Sequence, residues 1–114
     1  MPSSIAPLEI TPREVKRRLD AGEKLRLVDV REPREFETAR IDGTELIPMG
    51  DVPAALARLD DPDGAPLIVI CHHGVRSLQV VNLLREHGVA DCQSMAGGIE
   101  RWSREIDASV PRYN

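Results

Sequence analysis

The stretch that most constrains this chain is Leu67-Ile68-Val69-Ile70, followed by Cys71-His72-His73-Gly74-Val75-Arg76 and then residues 77–88. The apolar tetrapeptide, rich in β-branched residues, is short enough to be a strand buried on both faces. In the last segment Leu78, Val81 and Leu84 recur three apart, and Val80 lies four before Leu84. Gln79, Asn82, Arg85 and Glu86 take the other side, which predicts a helix with Gly88 at a left-handed C-terminal cap. Between strand and helix lies a tight turn that begins with a cysteine and ends with an arginine. Such a turn is an anion cradle, because the first amides of a helix have no intrahelical partner and the helix dipole adds positive charge there.

Within that turn Cys71 has the setting of a nucleophile. A thiolate is favoured at a helix start, Arg76 adds a fixed cation, and Gly74 gives the backbone freedom for the amides to point inward together. Ser77 completes the loop. The alternative, a small hydrophobe ending a buried strand, fits a lone cysteine better than one followed by Gly74, Arg76 and Ser77 at this spacing.

Cys71-His72-His73-Gly74-Val75-Arg76-Ser77 resembles the active-site loop of the single-domain rhodanese family of sulfurtransferases. Asp29-Val30-Arg31-Glu32-Pro33 with Glu35-Phe36 is similar to the family's first signature, Ile41-Asp42-Gly43 and Ile47-Pro48 to its second, and Gly97-Gly98-Ile99 with Trp102 to its C-terminal one. They occur in the family's order from Leu8 to Trp102. The chain departs from the pattern at Ala39-Arg40, where the family has Gly-His, and at Thr44-Glu45-Leu46, where it has Ala-x-Asn. The resemblance implies an α/β fold: one rhodanese-like domain with a mainly parallel five-stranded sheet and helices on both faces. It also implies sulfur transfer through Cys71 with Arg76, a binding loop of His72, His73, Gly74, Val75 and Ser77, and no cofactor.

Read in order, residues 1–7 are expected to be a tail, 8–108 the domain and 109–114 a second tail. Leu8-Glu9-Ile10 predicts a short edge strand, and Thr11-Pro12-Arg13-Glu14 a capping box in which Glu14 reaches back. Val15 and Leu19 mark the buried face of that helix. Lys16-Arg17-Arg18 is either a docking patch for an acidic carrier or a solvated face.

Leu25–Val30 predicts a second strand that delivers Asp29 and Arg31 to its C-terminal end, where open α/β sheets bind ligands. Asp29 is expected either to bond the loop amides or Arg76, or to cap the short helix implied by Pro33-Arg34-Glu35-Phe36. Arg31 is expected either to shape the rim or to be structural. Glu45-Leu46-Ile47 predicts a strand, residues 51–59 a helix, and Asp60–Gly64 an acidic turn without the alternating oxygen ligands of a calcium loop. Ala90–Met95 predicts the last strand. Cys92 is expected to fill the core, the alternative being a resolving partner for Cys71. Gly97-Gly98 is expected to let backbone pass close to the Cys71 loop, and Trp102 to anchor the core.

Strands alternating with helices argue a parallel sheet joined by right-handed crossovers. The 114 residues suffice for one core. A net charge of −4, with no basic stripe studded with aromatics, argues against nucleic acid as a partner. No stretch approaches the ~20 apolar residues of a membrane span, and the N-terminus has no signal-peptide pattern. A free Cys71 fits a reducing, cytoplasmic setting. His72 and His73 adjacent in one turn do not make a metal site, since no second His or Cys cluster completes it; they either line the mouth or cover the loop in solvent.

Three functions follow. The first is ping-pong transfer of sulfane sulfur from a small anionic donor such as thiosulfate to cyanide, a thiol or a protein acceptor. The second is a sulfur carrier or docking module without turnover of its own. The third is a cysteine-dependent phosphatase or arsenate reductase. Such a cradle usually has five residues between cysteine and arginine, whereas this chain has the four residues 72–75, a smaller ring that suits one sulfur atom.

Overall fold

A computed structural model describes residues 6–61 and 64–114. The elements, in order, are β1 (Glu9–Ile10), α1 (Pro12–Asp20), β2 (Arg26–Asp29), α2 (Pro33–Thr38), β3 (Glu45–Leu46), a 3₁₀ turn (Met49–Asp51), α3 (Val52–Leu59), β4 (Leu67–Ile70), α4 (Val75–Glu86), β5 (Cys92–Met95) and α5 (Gly98–Glu105). The five strands pair in parallel in the order β1-β5-β4-β2-β3. All their C-terminal ends therefore share one edge, and β4 sits at the centre.

The two-residue period of β4 divides the core between the faces of the sheet. Leu67, Val69 and Cys71 pack with Val52 and Leu59 of α3 and Val80, Val81 and Leu84 of α4. Ile68 and Ile70 pack with Val15 of α1 and Ile99 and Trp102 of α5. Both faces are covered, so the continuous apolar run of β4 is buried throughout, as its composition predicts. Trp102 lies in the core, and Gly88 is left-handed just past α4.

Thr11 caps α1 by accepting from the Glu14 amide at 3.1 Å, but the other half of the expected box is missing. The Glu14 carboxylate turns along the helix to Arg17 at 2.6 and 2.8 Å, a stronger charged partner than a backbone amide. Arg17, Lys16 with Asp20, and Arg18 with Glu23 form surface ion pairs, so the basic run is a solvated, paired face. The tail expected at 1–7 falls outside the described residues up to Ile5, as do Pro62 and Asp63 of the acidic turn. The C-terminal segment packs on the domain. Val110 is buried against the Trp102 side of the core, and its carbonyl accepts from Ser103 Oγ. Among the described residues no helix is long and apolar enough to cross a membrane.

Candidate active site

The site begins where β4 runs out. Cys71 follows Ile70 directly, and the chain then turns sharply, because Gly74 adopts φ +95 as the N-cap of the twelve-residue α4. That turn folds the start of α4 back over the sulfur. The amides of Gly74 and Ser77 donate to Cys71 Sγ at 3.1 and 3.3 Å. The Ser77 hydroxyl lies 3.3 Å from Sγ and 2.7 Å from Ser94 Oγ on β5. Cys71 is 1% exposed, and Ser77 and Ser94 are fully buried. Convergent N–H donors at a helix start stabilise negative charge on whatever atom they surround.

The loop is locked from behind by α5. Its first amides, on Ile99 and Glu100, donate to the carbonyls of Cys71 and His72 at 2.8 and 3.1 Å. This close approach explains the glycines at 98 and 74. A Cβ on Gly98 would overlap both of those carbonyl oxygens, and one on Gly74 would lie 2.9 Å from the Gly97 amide nitrogen.

Arg76 does not reach into the cradle as expected. Its Nη1 and Nη2 donate to the two carboxylate oxygens of Glu35 on α2 at 2.8 and 2.9 Å. The paired guanidinium holds the Glu35 carboxyl down to about 2, well below the usual carboxylate range. Arg76 stays within electrostatic range of Cys71, so it brings its charge to the loop from outside, neutralised in part by Glu35.

Asp29 has a role other than those expected, and Arg31 takes the structural one of its two. Asp29 bonds neither the loop amides nor Arg76, nor does it cap α2, whose N-cap is Glu32. Its carboxylate accepts from the Arg31 backbone amide and from Arg31 Nε and Nη2. Both residues are fully buried, so Arg31 is no part of a rim. The remaining Arg31 donors go to the Ala39 and Glu35 carbonyls and to the Tyr113 hydroxyl. This pair fastens the turn after β2 to α2 and to the C-terminal segment.

His72 turns away from solvent, and its ring stacks between His73 and Tyr113 at 3.9 Å from each. Burial, with His73 beside it, lowers the His72 pKa. His73 and Val75 are exposed at the loop surface. A surface cavity of about 450 Å³, lined in part by Lys16, Arg40, Asp42 and Trp102, does not include Cys71. Among the described residues no three His, Cys, Asp or Glu side chains converge on a metal position.

Two residues at the site had no role in the sequence reading, Glu35 and Tyr113. Glu35 sits in a recognised motif, and its position three after Glu32 signals a helix start, but nothing local ties it to Arg76. Tyr113 gives no local signal.

The chain matches the family Rhodanese-like domain over residues 11–105. It is 37% identical over 109 residues to the adenylyltransferase and sulfurtransferase MOCS3-2 of Zea mays, covering 91% of this chain and 23% of that protein. The chain thus spans about a quarter of the length of that curated relative. Among solved structures, a rhodanese-like domain protein from Staphylococcus aureus superposes with a TM-score of 0.77 at 29% identity, over 95% of this chain and all of that one. The single-domain sulfurtransferase RDL2 of Saccharomyces cerevisiae gives 0.73 at 28% identity, over 94% and 97% of the two chains.

Proposed function

Since the chain belongs to the family of rhodanese-like domains, sulfurtransferases and sulfur carriers, we propose that it moves sulfane sulfur from thiosulfate or a similar anion to a thiophilic acceptor through a Cys71 persulfide. The observation that carries this reading is the convergence of the Gly74 and Ser77 amides and the Ser77 hydroxyl on one sulfur.

In the first half-reaction the Cys71 thiolate attacks the outer sulfur of the donor. A new S–S bond forms, the donor's S–S bond breaks, and the electron pair departs with sulfite. In the second half, cyanide or a thiolate takes the terminal sulfur, and the electron pair returns to Cys71. The cradle supplies electrostatic stabilisation that is already in place in both halves. Before transfer its donors serve the thiolate, and afterwards they face the charge of the persulfide. The Ser77–Ser94 hydroxyl pair is free to reverse its donor direction, so it can accept from a thiol or donate to a sulfur anion. Both cysteines are free, which suits a reducing setting such as the cytoplasm.

The four residues between Cys71 and Arg76 favour this over phosphoryl chemistry. The donors close around a single sulfur, and the Arg76 fork is taken by Glu35 instead of standing open for a tetrahedral anion. A thiosulfate:cyanide assay tests the proposal. Double-displacement kinetics, with parallel reciprocal plots as each substrate is varied, are expected. A protein that accepts sulfur but yields no thiocyanate would be a carrier.

A further inference from the structure

The chain has a single tyrosine, and it lies next to the last residue. Three attachments bring it to the site. Ser103 Oγ donates to the Val110 carbonyl at 2.6 Å, the Val110 side chain is buried, and Arg112 pairs with Glu100 of α5. Beyond these, the Tyr113 ring lies nearly parallel to that of His72, at 10° with centroids 3.9 Å apart. Its hydroxyl accepts from Arg31 Nη1 at 2.7 Å and donates to Glu35 Oε2 at 2.8 Å. That same Glu35 oxygen accepts from Arg76.

One side chain therefore touches the start of the loop directly and its end through Glu35. Its face covers His72, next to Cys71. Its hydroxyl joins the buried Asp29–Arg31 pair to the Glu35–Arg76 pair. The His72 Nε2 is buried with no hydrogen-bond partner among the described residues, and the Tyr113 segment holds the ring by its stack and by its backbone beside it. The Glu35 carboxylate already accepts from the Glu32 amide at 3.0 Å and from both Arg76 nitrogens, and the Tyr113 hydroxyl at 2.8 Å is a fourth donor, which holds the oxygen that faces Arg76 Nη2.

We propose that Tyr113 is a positioning residue of the active site, setting Arg76 through Glu35 and the start of the loop through His72. The proposal rests on the reading of Cys71 as the nucleophile. Nothing in the local sequence marks Tyr113, and its reach to the site comes entirely from the way residues 107–113 are fastened to α5.

The test compares alkylation of Cys71 by iodoacetate, an anion, with alkylation by iodoacetamide, its neutral counterpart, followed by peptide mass analysis. The ratio of the two rates reads the charge that Arg76 presents at the sulfur and requires no sulfur transfer. Tyr113→Phe keeps the ring and removes the hydroxyl, so the ratio should fall roughly threefold to tenfold, the size of one ordinary lost hydrogen bond. In a Glu35→Gln background the same substitution should change the ratio less than about twofold, because the two act through one path. Tyr113→Leu, which also removes the stack, should raise the rates with both reagents in addition.

An unchanged ratio in Tyr113→Phe, or an equal fall with and without Glu35, would overturn the proposal. So would a parallel rise in both rates for Tyr113→Phe, which would mark general loosening. Absence of any mass gain from thiosulfate would instead strike the sulfurtransferase reading and leave the ratio result standing.

Discussion

Glu35 and Arg76, 41 positions apart in the chain, meet through two parallel hydrogen bonds of 2.8 and 2.9 Å. The pair closes the Cys71 loop from outside and is the link between α2 and the start of α4. It also sets a pH dependence. The Glu35 carboxyl is ionised in the fold down to about 2, against an ordinary value of 4.5. A depressed carboxylate contributes stability that is fully present above its unfolded value and lost as pH falls through the folded one. Wild type should therefore exceed Glu35→Gln in unfolding free energy at neutral pH, with the gap closing between about 4.5 and about 2. Denaturant titrations across that range measure it.

Arg76→Lys should fold and react poorly. Lysine keeps the charge but cannot make the bidentate contact with Glu35, so the cation is no longer fixed beside the loop. A loss in kcat/KM on the order of tenfold is expected, and Arg76→Ala should lose more. Steady-state assays with thiosulfate decide this, and unchanged kcat/KM in both variants would make Arg76 purely structural.

Gly98→Ala should damage the site from the rear. Gly98 has φ +60, and a Cβ there would overlap the carbonyl oxygens of Cys71 and His72. The loop must shift or α5 must detach from it, at a cost above about 2 kcal/mol. Thermal unfolding should show a lowered Tm, and residual folded protein should take up sulfur slowly.

Cys92→Ser should retain most of the activity. Cys92 pairs in register with Leu67, at the opposite end of β4 from Cys71. Four residues of strand separate the two levels, about 13 Å, whereas a disulfide needs Cα atoms within about 7 Å. Oxidation should yield no intramolecular disulfide in the folded protein, as peptide mapping will show. Cys92 donates to the Val89 carbonyl within the core, and burial raises its thiol pKa, so it is a packing residue.

Much of this is written in local sequence. The apolar run of β4, the helical spacing of Leu78, Val81 and Leu84, and the glycines at 74, 97 and 98 are each visible as residue types in short stretches, so the cradle and a parallel sheet around it are legible. What escapes local reading is pairing across the fold. A strand-end aspartate and arginine look like ligand groups, but Asp29 and Arg31 neutralise each other in the interior. Arg76 looks like an anion hook because its partner lies on another helix. Tyr113 sits in what composition describes as a tail, and only the burial of Val110 and the Arg112–Glu100 pair bring it to the loop.

The most direct measurement is the intact mass of the protein after incubation with thiosulfate and removal of excess donor, with the modified peptide located. The wild type should gain one sulfur atom on the peptide carrying Cys71, lose it on addition of cyanide, and show negligible turnover of an aryl phosphate. Cys71→Ser should gain nothing, while Cys92→Ser should behave as wild type. A wild type that hydrolyses aryl phosphate rapidly and gains no mass with thiosulfate would contradict the account.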